Sequence, residues 1–503
     1  MKIDTISRIL THVTTTQQNI SGGNKMRLRS NNLKGVLLAT AMIAGSASIA
    51  MADNTDTNGW QGNDTNGWYY YEEGQKATGW KFINNVWYYF DKTGLMAQDE
   101  LVYISGETYY LNPTGAMATG WYSFDNDSDI LYNYDIDVSK AADDIQNPVF
   151  KTAEESYEKV WLYFHSDGTA ADDEWFQSPS GLWYYFDDIL MVAGDFDHII
   201  SNSRYGFDEN GAMLVGWAEN YNNQSILAPN KDSRTWYYYE SNGKKFDVDS
   251  ETNRFGWKRI GGEWYCFKSE LNLSSGNSVG TLIVDTLFNN GATADTTSNF
   301  FYVDKNGVMA TGVTTVSKDA VLVENRDDWG LATPNKVSKY SSNNVDILFD
   351  DDGKAKAKTF VNGRYYADAN DSNVNVFDTD NFAVTDYTSK SISKIKGALV
   401  KNAFVEKDDK TYYVDKYGDS VTSHALQIGY ITDTDGVYSF SATATGAANE
   451  HKAYAIFDNK GVAYDDVAAG RTVSAGSKKY ISSGIKYSET TNIDNVTIFF
   501  YKN

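Results

Sequence analysis

A tandem aromatic repeat between Gly79 and Trp121 constrains the fold of this chain more than any other feature of its sequence. Each copy has an opening position, a short polar turn, an aromatic run, a second turn with Gly, and a Met-Ala pair. The aromatic runs with their Gly and Met positions are 87–90 with Gly94 and Met96, and 109–111 with Gly115 and Met117. The period is about twenty residues, which is the signature of a repeat array.

Each aromatic run predicts a short β-strand, because Trp, Tyr and Phe suit a half-buried pleated surface. Side chains alternate along a strand, so Trp87 and Tyr89 should face one way and Tyr88 and Phe90 the other. A lone hairpin is marginal in water, but stacked hairpins bury one aromatic face continuously. We therefore predict an all-β fold: a solenoid of stacked β-hairpin repeats with loop insertions and a degenerate C-terminal β region.

Echoes of the pattern organise the rest of the chain. Residues 53–312 are predicted to form the repeat array, with insertions near 122–158 and 268–297. An array tolerates such insertions because they fall in loops. Residues 313–503 keep the order of strand, turn and Gly but lose the paired Trp. We predict that they are degenerate repeats or a small β domain.

Residues 1–52 have the pattern of a signal peptide with an N-terminal extension. A basic stretch at 26–34 precedes an apolar stretch at 35–50, and Ala-Met-Ala at 50–52 fits the small-residue cleavage pattern. The apolar stretch is too short and too rich in Ala, Ser and Gly for a comfortable membrane span. We expect export with cleavage after position 52 and no membrane span; translation from Met1 and from the methionine that opens the basic stretch are alternatives.

Charge and cysteine usage exclude some classes of function. The formal net charge is −23 at pH 7, whereas nucleic-acid binding needs a basic footprint. An acidic surface keeps an exported protein soluble and also favours a cationic ligand. The single Cys266 cannot form an internal disulfide. We expect a buried thiol within its strand, the alternative being a bond to another molecule.

Aromatic rings left between consecutive hairpins would form a cage with two possible classes of ligand. A quaternary ammonium gains cation–π attraction of about 0.5–2 kcal/mol per good contact. A sugar ring can instead lay its apolar face on an indole. The alternative to a cage is that these rings only build the core of the array. For the Gly-Trp tryptophans we favour the cage, because each follows a turn at the junction of two units.

The pattern GW…WYYF…G-x-M-A-x-G-W resembles the cell-wall-binding repeats of Gram-positive surface proteins. That family includes the choline-binding modules, with relatives in glucan-binding proteins and clostridial toxins. The match is specific at 59–121 and 205–267, with a fragment at 299–312. The resemblance implies a β-hairpin solenoid whose sites use two aromatics of one repeat, one of the next, and often a Met.

The resemblance implies three ligand sites in this sequence. The first would use Trp80, Trp87 and either Tyr109 or Tyr110, of which Tyr110 is selected, with Met96 nearby. The second would use Trp60, Trp68 and either Tyr88 or Tyr89, of which Tyr89 is selected. The third would use Trp257 and Trp264. At Trp121 we expect the insertion to separate the partner strand that would complete a site. Trp175 and Trp183 form a further candidate pair, but this pair lacks the Gly-Trp motif.

The sequence offers no motif for catalysis or for a resident metal. It has no nucleophile elbow, P-loop or H-E-x-x-H pattern, and its His residues lack metal-ligand spacing. We therefore expect no cofactor and a secreted, non-catalytic surface protein held non-covalently on the cell wall. Its partner would be choline-bearing teichoic acid or a wall polysaccharide. The alternatives are a wall hydrolase, amidase-like, whose catalytic part is unrecognised or missing, and a carbohydrate receptor-binding module, resembling toxin repeats, for host or dietary glycans.

Overall fold

The computed structural model describes residues 58–125, 159–220, 235–248, 255–269, 280–289, 299–324, 333–487 and 496–501, with single positions at 130, 328 and 493. The predicted signal peptide and most of the insertion predicted near 122–158 lie outside these residues. The described fold is all-β, as predicted, and consists of short strands joined by tight turns. Within these ranges, no helix has the length and apolar character that a bilayer span requires.

Packing divides the chain into two compact units. The first contains residues 1–248 and 275–281, and the second contains residues 249–274 and 282–503. The division of function predicted at residue 312 stays a prediction.

The described strands of the first unit are β1 Gly59–Asn63, β2 Gly67–Glu72, β3 Gln75–Lys76, β4 Gly79–Ile83, β5 Val86–Phe90, β6 Glu100–Ile104, β7 Glu107–Leu111, β8 Gly120–Asp125, β9 Lys159–Phe164, β10 Glu174–Gln177, β11 Trp183–Asp187, β12 Leu190–Met191, β13 His198–Ile200, β14 Ser203–Tyr205, β15 Gly216–Asn220 and β16 Thr235–Tyr239. They form antiparallel hairpins of consecutive strands, with β3 and β12 as third strands.

The described strands of the second unit are β17 Phe255–Ile260, β18 Glu263–Lys268, β19 Thr286–Asn289, β20 Phe300–Val303, β21 Gly312–Val316, β22 Val321–Val323, β23 Val345–Phe349, β24 Thr359–Val361, β25 Arg364–Tyr366, β26 Val374–Asp378, β27 Ala383–Asp386, β28 Ala403–Lys407, β29 Lys410–Val414, β30 Ala425–Thr434, β31 Val437–Ser441, β32 Glu450–Ile456, β33 Thr472–Ala475, β34 Lys478–Lys486 and β35 Thr497–Phe500. Short 3-10 helices lie at Val337–Lys339, Tyr387–Ser389 and Ser391–Lys394.

The hairpin β4–β5 shows why this sequence folds as it does. Its two-residue turn, Asn84-Asn85, has positive φ at both positions (49° and 65°). That conformation is the tight turn whose twist matches paired strands, and Asn tolerates it better than most residues. The turn sets the register, in which Trp80 stands opposite Tyr89 and Phe82 opposite Trp87. Both pairs therefore lie on one face of the hairpin.

The turn that follows several of the second strands is held by a side-chain oxygen of Asp or Asn. Asp91 Oδ1 accepts hydrogen bonds from the backbone N–H groups of Thr93 and Leu95, at 2.7 and 3.0 Å. Asn112, Asp208, Asp304, Asp350 and Asp458 repeat the pattern, each accepting the N–H groups two and four residues further on. The same turn thus recurs in both units.

Methionine and glycine connect successive hairpins. The Met96 N–H donates to the Trp68 carbonyl oxygen of the previous hairpin at 2.9 Å. Its side chain packs on the next turn, where a Cβ placed on Gly115 would stand 2.4 Å from Met96 Cε. Gly115 also has a φ of +76°, so both its backbone and its surroundings require glycine. The methionine of one Gly-x-Met motif, Met96, therefore contacts the glycine of the next motif, Gly115.

The second unit adds larger sheets to these hairpins. Strands β26 to β29 form a four-stranded sheet, and β30 to β35 form a six-stranded sheet in the order β31-β30-β32-β35-β34-β33. Phe404, Phe457 and Phe500 are among the fully buried residues of one core there. Cys266 is free and buried, and burial raises the pKa of its thiol, as expected for a thiol that replaces a core side chain.

One predicted loop differs in the structure. Part of the insertion expected near 268–297 is strand β19, whose four residues are all buried. β19 pairs antiparallel with β20 and parallel with β22. Thr-Leu-Phe-Asn is too short to reveal a strand by alternation, and tertiary burial of Leu287 and Phe288 decides it.

Candidate aromatic binding site

A group of three aromatic rings recurs where one hairpin meets the next. In the second hairpin, Trp80 of β4 lies 6.3 Å from Trp87 of β5, with the rings perpendicular. Tyr109, from β7 of the following hairpin, lies 4.8 Å from Trp80. We name this group the Trp80 junction, and other junctions take the name of the residue in the place of Trp80.

Alternation along one strand serves two junctions at once. Trp87 and Tyr89 of β5 face forward, and Tyr89 packs 5.3 Å from Trp80. Tyr88 and Phe90 face backward, where Tyr88 lies 4.8 Å from Trp60 of the previous hairpin. The opposite orientation of neighbouring residues that the sequence predicts is therefore observed in the structure.

The described part of the first unit contains three further junctions of this kind. They are the Trp60 junction with Tyr88, the Trp121 junction with Trp161 and Tyr184, and the Trp175 junction with Trp183 and Tyr205. The distance from the first tryptophan to the tyrosine of a later hairpin stays between 4.8 and 5.1 Å. At the Trp60 junction, the indole N–H of Trp68 donates to Asp64 at 2.9 Å.

Solvent exposure separates these rings from the core. Trp87 and Trp183 are 42% and 40% exposed, whereas Phe90 and Phe186 of the same strands are fully buried. Large exposed aromatics at recurring positions are unlike a closed core. One wall of each of these two junctions is therefore open to solvent.

Methionine lies at different junctions from the one predicted. The Met96 N–H donates to Trp68, and Met96 packs in a cluster with Trp60, Trp68 and Tyr88. The methionine whose N–H reaches Trp87 is Met117, at 2.9 Å. Met96 thus belongs to the Trp60 junction, because each methionine pairs back to the hairpin before its own.

Tyr110 and Tyr89, the tyrosines selected for the first and second predicted sites, lie elsewhere in the structure. Tyr110 is 4% exposed, and its hydroxyl donates to Asp99 at 2.9 Å. Burial raises the pKa of Tyr110, and the hydrogen bond to Asp99 and the charge of Asp99 raise it further. Tyr89 lies in the Trp80 junction instead of the Trp60 junction. The alternatives one residue earlier are the ones beside the tryptophans: Tyr109 lies beside Trp80, and Tyr88 lies beside Trp60.

The third predicted pair, Trp257 and Trp264, lies in the second unit. Trp257 packs against Phe288 at 5.9 Å and Phe301 at 5.5 Å. Trp264 is 41% exposed, and its carbonyl accepts the Met309 N–H at 2.9 Å. Phenylalanine thus stands where the other junctions have tyrosine, and strand β19 supplies an extra ring.

The expectation that the insertion after Trp121 separates its partner strand from it was wrong. β8 and β9 pair antiparallel across the insertion, with Trp121 opposite Tyr163. Phe176 adds a ring 5.6 Å from Trp121. The signal was present in the sequence, since Gly120-Trp121 and the run from Trp161 to Phe164 match the other hairpins once the insertion is removed.

Acidic groups lie near two tyrosines of these junctions, Tyr109 and Tyr184. Burial raises the pKa of Tyr109, and Glu107 and Asp167 raise it further. Burial and then Asp208 raise the pKa of Tyr184. The hydroxyls therefore stay protonated at neutral pH, and the local negative potential favours a cation over an anion.

Groups suited to metal binding or acid–base chemistry lie beside the junction rings, where His165 is 5.6 Å from Tyr163 and His198 is 5.8 Å from Tyr185. Asp172, Asp173 and Asp188 are exposed and place one oxygen each within 4.8 Å of one another. His165 contacts Glu174 at 2.5 Å, and His198 contacts Asp195 at 3.2 Å. Asp188 was not singled out in the sequence, because the acidic composition hides any particular carboxylate.

Comparison with known proteins gives one family match. Residues 77–122, which span the Trp80 junction, match the family model described as choline-binding repeat.

Curated relatives are longer than this chain. Glucosyltransferase-S of Streptococcus mutans serotype c is 23% identical over 397 residues, which is 72% of this chain and 20% of that protein. Glucosyltransferase-I of Streptococcus downei is 23% identical over 222 residues, 42% of this chain and 12% of that protein. The chain thus spans a fifth or less of the curated relatives it matches.

Among solved structures, CbpJ of Streptococcus pneumoniae TIGR4 is similar to this chain. The two share 19% identity at a TM-score of 0.36, over 72% of this chain and 100% of that chain.

Proposed function

We propose that this chain, which carries a choline-binding repeat at residues 77–122, binds a cell envelope non-covalently through the aromatic junctions between its hairpins. The ligand is choline-substituted teichoic acid, with a wall glycan as the alternative. The hairpins stack into a solenoid with degenerate repeats towards the C-terminus. The protein is exported, acts outside a Gram-positive cell, and is not an enzyme.

The Trp80 junction is the observation that carries this proposal. Trp87 stands perpendicular to Trp80, Tyr109 packs on Trp80 at an interplanar angle of 64°, and Trp87 is open to solvent. A quaternary ammonium seated there gains about 0.5–2 kcal/mol from each good cation–π contact. The neighbouring carboxylates of Glu107 and Asp167 act in the same direction. An anionic ligand would meet the opposite field.

Repetition supports a polymeric ligand. The Met-to-Trp hydrogen bond between hairpins recurs for Met96, Met117, Met213 and Met309, at 2.8 to 2.9 Å. The same contact therefore sets the spacing of neighbouring junctions. Weak sites at a regular spacing bind a repeating polymer with an avidity above the affinity of each site.

Free choline tests the ligand. Choline added to cells coated with the protein should release it, whereas the same concentration of NaCl or glucose should not. Retention on choline-free wall or on insoluble glucan, with no effect of choline, would contradict choline recognition and support glycan binding. Retention on host glycans alone would support a receptor-binding module.

A peptidoglycan zymogram tests the non-catalytic part of the proposal. The full chain should leave the embedded wall intact beside an active hydrolase as the positive control. A clear band at the position of the chain would refute this part and leave the choline result to be judged separately.

A further inference from the structure

One junction of the first unit holds an ammonium group of the chain itself. It lies between the hairpins β13–β14 and β15–β16. Phe196 just before β13 and Tyr237 of β16 face each other with ring centroids 6.1 Å apart. Arg204 of β14 stands where the other junctions have their second tryptophan. We name this group the Phe196 junction.

Backbone contacts show that Lys245 occupies the methionine position here. Its N–H donates to the Arg204 carbonyl at 2.7 Å, as the Met213 N–H donates to Trp183 at 2.8 Å. Its Cε lies 3.4 Å from a Cβ placed on Gly280. The methionines come closer to the glycine of a later turn, as Met96 does to Gly115 at 2.4 Å, whereas Lys245 makes an ordinary van der Waals contact there. The lysine thus replaces a thioether with a cation at an equivalent place.

The ammonium of Lys245 is bound as a ligand cation would be. Its Nζ lies 3.9 Å from the centroid of the Tyr237 ring and 2.9 Å from Asp197 Oδ1. The lysine side chain has no exposed surface. Arg204 Nη1 donates to the other oxygen of Asp197 at 2.9 Å. Burial lowers the pKa of Lys245, although Asp197 acts to raise it.

Burial makes this arrangement specific. An unpaired ammonium inside a protein is strongly destabilising, so Lys245 is held there by its ring and its carboxylate together. A methionine in the same place would leave Tyr237 and Asp197 facing a neutral thioether. The junction therefore combines an aromatic wall and a counter-ion around one cation.

We propose that Lys245 is an internal ligand, whose ammonium fills the Phe196 junction and closes it to cations from outside. The inference rests on the proposed function, since it assigns to the open junctions the same ligand chemistry: an ammonium on an aromatic face near a carboxylate. Removal of the lysine side chain should convert the closed junction into an ammonium-binding site.

Ammonium rescue of Lys245→Ala in the full chain tests the proposal. The variant should unfold at a lower temperature than the wild type. Methylammonium chloride should restore about 2–4 °C more than NaCl at equal ionic strength. The wild type should show no such difference with methylammonium. Equal effects of the two salts on the variant would overturn the proposal.

Two further variants keep the result interpretable. Lys76→Ala is the matched control, because Lys76 also lies over a tyrosine, 3.6 Å from the centroid of Tyr69, but is exposed. It should show no methylammonium rescue. Lys245→Met keeps a long side chain without the charge, and should be less stable than the wild type. Stability equal to the wild type would show that Lys245 only fills space, which also overturns the proposal.

Choline separates this inference from the proposed function. If the wild type ignores choline while methylammonium rescues Lys245→Ala, the choline proposal fails and the internal ligand stands. If choline elutes the wild type but the variant is not rescued, the reverse holds. Should Lys245→Ala not fold, refolding in methylammonium but not in NaCl is the expected result, and failure in both overturns the inference.

Discussion

A step of one residue along a strand decides whether a tyrosine lines a junction or the core. Tyr109 faces Trp80 at 4.8 Å. Its neighbour Tyr110 is 4% exposed and packs against Phe124 and Phe164. Both residues belong to one aromatic run, and composition does not distinguish them. The pleat gives them different environments and therefore different roles.

Alanine substitutions at these two positions should affect different properties, stability at Tyr110 and choline binding at Tyr109. Tyr110→Ala removes a buried ring and a hydrogen bond, and should lower the free energy of unfolding by about 3 kcal/mol. Tyr109→Ala should leave stability nearly unchanged and remove one equivalent of choline binding. Urea unfolding and titration calorimetry measure the two quantities. Equal loss of stability in both variants would show that Tyr109 is a core residue.

Combined removal of the two tryptophans tests the same junction. Trp80→Ala with Trp87→Ala should weaken retention on choline-bearing wall, while distant hairpins stay folded by circular dichroism. Tyr103→Ala is the control, because this side chain is 66% exposed and lies outside the junctions. Global unfolding of the double variant would mean that the rings hold the fold together instead of a ligand.

At the scale of the element, the hairpin depends on two turns of different chemistry. The first has paired residues with positive φ, such as Asn84-Asn85. The second has an acceptor such as Asp91, which takes two backbone N–H groups, followed by Gly94. The second turn recurs at Asp350 and Asp458, so it is present where the neighbouring strands have no tryptophan.

The charge of Asp91 predicts a small pH dependence. The Thr93 hydroxyl, with backbone N–H groups, lowers the pKa of Asp91. A lowered pKa means that the unfolded chain binds the proton more tightly. The stabilisation is therefore present above the unfolded pKa of about 3.9 and lost as pH falls through the folded value. Urea unfolding of Asp91→Asn between about pH 2.5 and 5 should show a flatter profile than the wild type.

Alanine at Asp91 is the matched comparison. Asp91→Ala loses the acceptor as well as the charge, and should cost about 1 kcal/mol at neutral pH. Asp91→Asn should be close to the wild type there, since Asn112 performs the same task in the next hairpin. Equal losses from both variants would contradict the assigned role of the acceptor.

The contact between Met96 and Gly115 predicts a difference between two glycines. Gly115 and Gly120 have similar positive φ values, +76° and +83°. A Cβ on Gly115 would meet Met96, whereas a Cβ on Gly120 has nothing within 4 Å. Gly115→Ala should therefore cost about 1–3 kcal/mol more than Gly120→Ala in urea unfolding. Equal costs would mean that backbone strain alone requires glycine.

At the scale of the whole molecule, the junctions are unevenly divided. The junctions named for Trp60, Trp80, Trp121 and Trp175 lie in the first unit, and the Trp257 pair lies in the second. The second unit instead contains the six-stranded sheet and its buried core. The proposed choline sites and the six-stranded sheet with its core are therefore concentrated in different parts of the chain.

Choline should stabilise the first unit more than the second. A ligand at one hundred times its dissociation constant adds about 2.7 kcal/mol per site to the unit that binds it. In scanning calorimetry, choline should therefore raise the unfolding temperature of one transition by several degrees and that of another by less. Tryptophan fluorescence identifies the transition of the first unit, because most tryptophans precede residue 249. An equal shift of all transitions would contradict this distribution of sites.

The amino-acid pattern alone was sufficient for the all-β class, the hairpin period and the side of the strand that Trp87 and Tyr88 face, because these follow from local alternation and turn chemistry. The choice between Tyr109 and Tyr110, the place of Met96 and the pairing of β8 with β9 needed the tertiary structure, since each depends on a neighbour distant in sequence. Lys245 was invisible for the same reason: only packing brings its ammonium to Tyr237 and Asp197 and gives one charged residue the place of a ligand.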